Sequence, residues 1–157
     1  MDDITLSALV LEIATSQLGV REQPLGSNDG PQVRQYLQRA GGKAGDPWCM
    51  AFVYWSVDEA AKKKGIPNPL VKTPGVMDQW RRTKARKQPP RRQLIKPGDI
   101  FIMSFDHEKG HTGIVEKVVD GLIYTIEGNT NNDGSREGYE VARRHRAITS
   151  IVGVISL

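Results

Sequence analysis

Three side chains of this 157-residue chain have the types that nucleophilic catalysis by a thiol requires. Cys49 is its single cysteine, His111 is one of three histidines, and Glu127 is a carboxylate, with Asn129 two residues on. A thiol attacks a carbonyl carbon as the thiolate, so a base must take its proton. That base needs a third group to set its tautomer and to stabilise the cation it becomes. Cysteine, histidine and carboxylate supply the three roles. Spacing alone carries little weight, because most chains contain such residues somewhere, so the elements that hold them decide the matter.

Asp46 suits a helix N-cap and Pro47 the first helical position, which predicts a helix starting there. Trp48, Ala51, Phe52 and Trp55 then share a buried face. Lys62, Lys63 and Lys64 complement the negative end of the dipole, and Gly65 ends the helix. Cys49 falls in the first turn, where free N–H groups and the dipole favour a thiolate. Two helices are expected upstream. Leu6, Leu9, Val10, Ile13 and Ala14 mark one face of the first, with Gly19 just past its end. The second runs near 31–39, capped by Asn28 or Asp29, with Val33, Tyr36 and Leu37 inward.

After a proline-broken stretch and a short helical piece at 76–83, the pattern turns to strand. Runs at 100–103, 111–118, 122–127, 139–144 and 151–155 predict a small antiparallel sheet packed on helices, an α+β fold. His111 opens one strand and Glu127 ends the next, joined through Asp120-Gly121. A two-residue turn there pairs Val119 with Leu122 and sends His111 and Glu127 to opposite faces. Catalysis therefore asks for a three-residue loop over 119–121, or an equivalent bulge that shifts the register by one. The shifted register sets Glu127 against Gly113 and gathers Ile114, Val118, Leu122, Tyr124 and Ile126 on the other face.

Composition narrows the class further. With 38% hydrophobic and 25% charged residues the chain is neither a disordered tail nor a membrane protein. One cysteine excludes an internal disulfide, and with three histidines it excludes a zinc ribbon. The net charge of +4 is local: from Arg81 to Lys96 there are eight Lys/Arg and no acid, and the remainder carries −4. Such a stretch is either a solvated linker or a contact for an anionic partner. The acidic Met1-Asp2-Asp3 start lacks the positive charge of an export signal.

The segments around the three residues are Gly45-Asp46-Pro47-Trp48-Cys49-Met50-Ala51-Phe52-Val53-Tyr54-Trp55, Lys96-Pro97-Gly98-Asp99-Ile100, Gly110-His111-Thr112-Gly113-Ile114-Val115 and Ile126-Glu127-Gly128-Asn129. Together and in this order they resemble the CHAP family of cysteine, histidine-dependent amidohydrolase/peptidase domains, which cut bacterial peptidoglycan. The resemblance implies a papain-like fold in a single catalytic domain over 1–157. It implies Cys49 as nucleophile, His111 as base and then acid, Glu127 as the group orienting the histidine, and Asn129 as a supporting polar group. The reaction would be amide hydrolysis through a thioester, without cofactor or metal. One family variant carries a calcium-binding acidic loop before the cysteine. Here that region holds only Asn28, Asp29 and Asp46, so no structural calcium is expected.

Trp48 and Asn131 are the candidates for substrate contact, although core packing is the simpler role for Trp48 and turn chemistry for Asn131. Trp80 suits either core or platform. His107 in a polar loop and His145 among arginines are expected to be solvated. The function expected is a peptidoglycan hydrolase, an N-acetylmuramoyl-L-alanine amidase or a peptide endopeptidase. It would be made in the cytoplasm without a signal and act on the periplasm or wall as a monomer. Release through a holin, as a phage endolysin, and injection as an antibacterial effector with an immunity protein both fit. The alternative is a non-enzymatic module that binds nucleic acid or anionic polymer through residues 81–96, and it leaves the four motifs unexplained.

Overall fold

A computed structural model describes residues 4–106, 108–130 and 138–157. Four helices come first: α1 (Leu6–Ser16), α2 (Pro31–Arg39), α3 (Cys49–Lys64) and α4 (Val76–Arg82). Six strands follow: β1 (Arg86–Gln88), β2 (Ile100–Ser104), β3 (Gly110–Val119), β4 (Leu122–Thr130), β5 (Glu140–Ala147) and β6 (Gly153–Ser156). They form one antiparallel sheet in the order β1-β6-β2-β3-β4-β5. No helix among the described residues is long and apolar enough to cross a membrane.

Strand alternation divides the buried side chains between two clusters. Ile100, Ile102, Ile114, Ile126 and Ile155 join the helices, whose contribution includes Val10, Leu37, Phe52 and Val57. Phe101, Val115, Ile123 and Val154 build a smaller cluster on the other face. Buried all round over Cys49–Val57 and exposed in its last turn, α3 fits between α1 and α2 and against β3 and β4. It is the element around which the helical layer and the sheet meet.

Several boundaries differ from expectation for identifiable reasons. The Asp46 carboxylate accepts the Lys43 N–H at 3.0 Å instead of capping a helix, so α3 begins at Cys49 with Trp48 as its N-cap residue. Neither Asn28 nor Asp29 caps α2, whose N-cap is Gly30. Asp29 pairs with Arg34 at 2.6 Å, and Asn28 Nδ2 donates to the Gly45 carbonyl at 3.2 Å. The basic stretch contains an unexpected strand, β1, which pairs with β6 through Arg86↔Ser156 and Gln88↔Val154. Short and cationic, it is a sheet edge protected against further pairing.

The β3–β4 hairpin resolves the register question by a bulge. Val119 pairs with Leu122 across a two-residue turn, with Asp120 in the left-handed region at φ 53°. The register shifts between Val115 and Lys117, so that Val115 faces Thr125 and Ile114 faces Ile126. One extra residue restores the pairing that catalysis needs. Val118 consequently turns to the second cluster with Ile123, not to the side of Ile114 as an unbulged strand would have it.

Where β4 passes beneath the start of α3, the side chain is absent. A Cβ on Gly128 would lie 2.8 Å from both Phe52 Cβ and Trp48 Cζ3. Overpacking of this kind forces the backbones apart. Gly128→Ala is therefore expected to cost about 1–3 kcal/mol, read as a lower urea midpoint with an unchanged slope.

Candidate active site

The helix places Cys49 at its first position, within the turn whose N–H groups have no intrahelical acceptor. Two contacts fix that turn. Asn129 on β4, held at φ 56°, accepts the Trp48 backbone N–H at 2.8 Å through Oδ1 and donates to the Gly138 carbonyl through Nδ2 at 2.5 Å. The Trp48 indole donates to buried Glu22 at 2.7 Å and stacks on Tyr36 at 5.8 Å. Asn129 thus supports the backbone that carries Cys49, not the histidine. Beside Cys49 lies a cleft of about 210 Å³, lined also by Asp46, Pro47, Pro74, Val76 and Gly110.

His111, near the start of β3, is buried and meets Glu127 through Nε2 and Oε1 at 2.7 Å. Both side chains project from the same side of the sheet. Gly113 makes the approach feasible, because a Cβ there would sit 2.6 Å from Glu127 Cγ. With Nε2 engaged, Nδ1 makes no closed hydrogen bond and is the nitrogen left to serve Cys49. Burial opposes a charge on the ring, yet the Cys49 sulfur, and after it the Glu127 carboxylate, outweigh it and raise the His111 pKa to about 9.

Glu127 accepts three further hydrogen bonds. Thr125 Oγ1 donates to Oε2 at 2.6 Å, Arg146 Nε to Oε2 at 2.9 Å, and Arg146 Nη2 to Oε1 at 2.5 Å. Burial pushes the carboxyl upward, but the Arg146 fork, followed by His111, holds it down at about 2. Thr125 and Arg146 lie outside every sequence motif. Strand alternation was the available signal for Thr125, two residues before Glu127. For Arg146 the run Arg143-Arg144-His145-Arg146 looked like a solvated face.

The structure therefore brings Cys49, His111 and Glu127 together, with Asn129 behind Cys49. It moves Trp48 out of the substrate-contact role: the ring is fully buried and offers no surface to a ligand. Trp80 is half-buried beneath Lys87 Nζ, 5.0 Å from the ring centroid. His145 is exposed beside Tyr124. Asn131 and His107 lie outside the described residues.

Residues 41–129, more than half of the chain, match the CHAP domain family, and the chain belongs to that family. No curated protein matches it by sequence. Among solved structures it is similar to a wild-type endolysin, LysIME-EF1, at TM-score 0.59 and 19% identity over 98% of this chain and 64% of that one. Ly7917 gives 0.55 and 15% over 98% and 62%, and PlyC 0.56 and 18% over 97% and 36%. The chain spans less than two thirds of each. These likenesses establish the α+β, papain-like CHAP fold.

The depressed Glu127 pKa has a consequence for stability. A carboxyl at about 2 in the folded protein and near 4.5 otherwise contributes stability above pH 4.5, which is lost as pH falls toward 2. Asp29, Asp58 and Asp78 are lowered as well and add to the same trend. The urea midpoint should therefore drop between pH 4.5 and 2, and drop less steeply in Glu127→Gln.

Proposed function

We propose that this protein is a peptidoglycan hydrolase that cuts an amide bond with Cys49 as nucleophile. The observation that carries the reading is the buried His111–Glu127 contact of 2.7 Å with Cys49 as the other partner of the ring. His111 takes the thiol proton, and the thiolate attacks the amide carbon. The first turn of α3 supplies N–H groups toward the oxyanion that forms. The imidazolium passes its proton to the leaving nitrogen as the C–N bond breaks, which leaves a thioester. Water then attacks the thioester carbon and gives a proton to His111, and as the C–S bond breaks the imidazolium returns that proton to the departing sulfur, which releases the acid. Glu127 holds the ring and balances its charge throughout. The reaction needs no metal or cofactor.

The bond cut is either the N-acetylmuramoyl-L-alanine amide or one within the wall peptide. We assign the activity to one catalytic domain over 1–157 acting on the wall or periplasm as a monomer. The biological setting is that of a phage endolysin or of an injected antibacterial effector countered by an immunity protein. All eight cations of the 81–96 stretch have exposed side chains, which supports contact with an anionic wall polymer. Arg82 is paired with Asp78 and Lys87 lies over Trp80, so part of that charge is already committed.

Cys49→Ala should fold and lose nearly all release of amine or peptide from purified sacculi. His111→Ala should lose at least about 10²-fold, and Glu127→Gln less. Mass spectrometry of the digested muropeptides identifies the bond. Substantial lysis by Cys49→Ala would overturn the assignment. The activity of the wild type should fall as pH rises through about 9, because the imidazolium proton is the one delivered to the leaving group.

A further inference from the structure

We propose that Arg146 is the fourth member of the catalytic relay, a positioning residue that keeps the Glu127 carboxylate turned toward His111 and shares its charge, so that His111 can surrender its proton. The proposal rests on the cysteine-hydrolase reading above and assigns a role to a residue that no family motif contains.

A carboxylate has about four acceptor sites, two on each oxygen. Oε1 receives His111 Nε2 and Arg146 Nη2, while Oε2 receives Thr125 Oγ1 and Arg146 Nε. Every site is used. The arginine fork reaches both oxygens and so fixes the plane of the carboxylate, which a single-point cation could not do. The oxygen aimed at His111 is therefore set from β5, a strand that is not itself adjacent to β3.

Glu127 is fully buried, and an unpaired buried anion is costly. His111 is a counter-charge only while protonated, and the mechanism has it lose that proton once in each half-reaction. Arginine never loses its charge under these conditions. With Arg146 in place the carboxylate remains paired when the ring is neutral. Without it, Glu127 would bind the imidazolium's charge alone and resist proton delivery.

The charged surroundings are few. Cys49 faces His111 from α3, β2 presents the uncharged Phe101 ring at 6.2 Å and Met103 across the strand pair, and Asp46 and Glu108 line the cleft beside Cys49. Glu127 meets His111 from β3, Thr125 from its own strand and Arg146 from β5. Arg144 stands opposite Thr125 on the same face of β5 as Arg146. Arg143 alternates to the other face and pairs with Glu116 at 3.0 Å.

The test is an NMR titration of the His111 imidazole in wild type, Arg146→Gln and Arg146→Lys, with kcat and KM on soluble wall fragments. In Arg146→Gln the His111 midpoint should rise by about one pH unit, because a nearby cation is gone while the carboxylate remains. Its kcat should fall about tenfold or more, with KM changed by less than about twofold. Arg146→Lys should return the midpoint toward wild type and recover part of kcat. A midpoint in Arg146→Gln equal to or below that of wild type overturns the proposal. Should Arg146→Gln not fold, Arg146→Lys carries the test: a wild-type midpoint with reduced kcat supports it, and wild-type kcat overturns it. The titration needs no substrate. A wild-type midpoint near the ordinary 6.5 would instead undo the cysteine–histidine reading itself.

Discussion

A carboxylate with no access to water is the constraint on which this structure depends. Removing Glu127 from solvent is unfavourable by several kcal/mol on the order-of-magnitude scale for buried ions. The fold offsets that with donors from three neighbouring strands, His111 on β3, Thr125 on β4 and Arg146 on β5. Much of the local sequence follows from this. Gly113 is small because the Glu127 stem needs its space. The bulge between Val115 and Lys117 lies in the hairpin whose register decides whether histidine and carboxylate share a face. The tight turn and the catalytic end could not otherwise be satisfied by the same pair of strands.

A second set of contacts does for Cys49 what the carboxylate does for His111. Helix α3 begins without a side-chain cap of its own, and Asn129 on β4 accepts the N–H of its N-cap residue, Trp48. Glu22 and Tyr36 hold the indole of that residue from the helical side. Gly128 lets strand and helix close to contact. Cys49 is thus carried by a turn pinned from both layers. Precision of this kind comes from the supporting groups as much as from the reacting ones.

The family and the candidate site residues were legible in the sequence because the motifs that carry them are local. Element types were legible too, since helical spacing and strand alternation are read over short windows. Long-range competition was not. Asp46 reads as an N-cap until Lys43 takes its carboxylate, which moves the helix start to Cys49. Arg146 sits in a charged run that resembles a solvent face, and only pairing with β4 shows that alternate members of it point inward. Trp48, one residue before the nucleophile, invites a substrate role that burial removes. Strand β1 escaped notice because its three residues, Arg86, Lys87 and Gln88, have little strand preference, and an edge position beside β6 made up for that.

The order of the parts along the chain bears on when the site can exist. Cys49 lies in the first third of the protein, while Arg146 lies in β5, the last strand but one. During synthesis the amino-terminal helices leave the ribosome and collapse first. At that stage the thiol has neither its histidine nor the buried anion behind it, and the helix turn that carries it lacks the Asn129 tie. Strand β5 must dock before Glu127 can be sealed from water in its charged form. Assembly of the site is thereby coupled to the docking of β5, and a chain that ends before that strand would lack the Arg146 fork on Glu127.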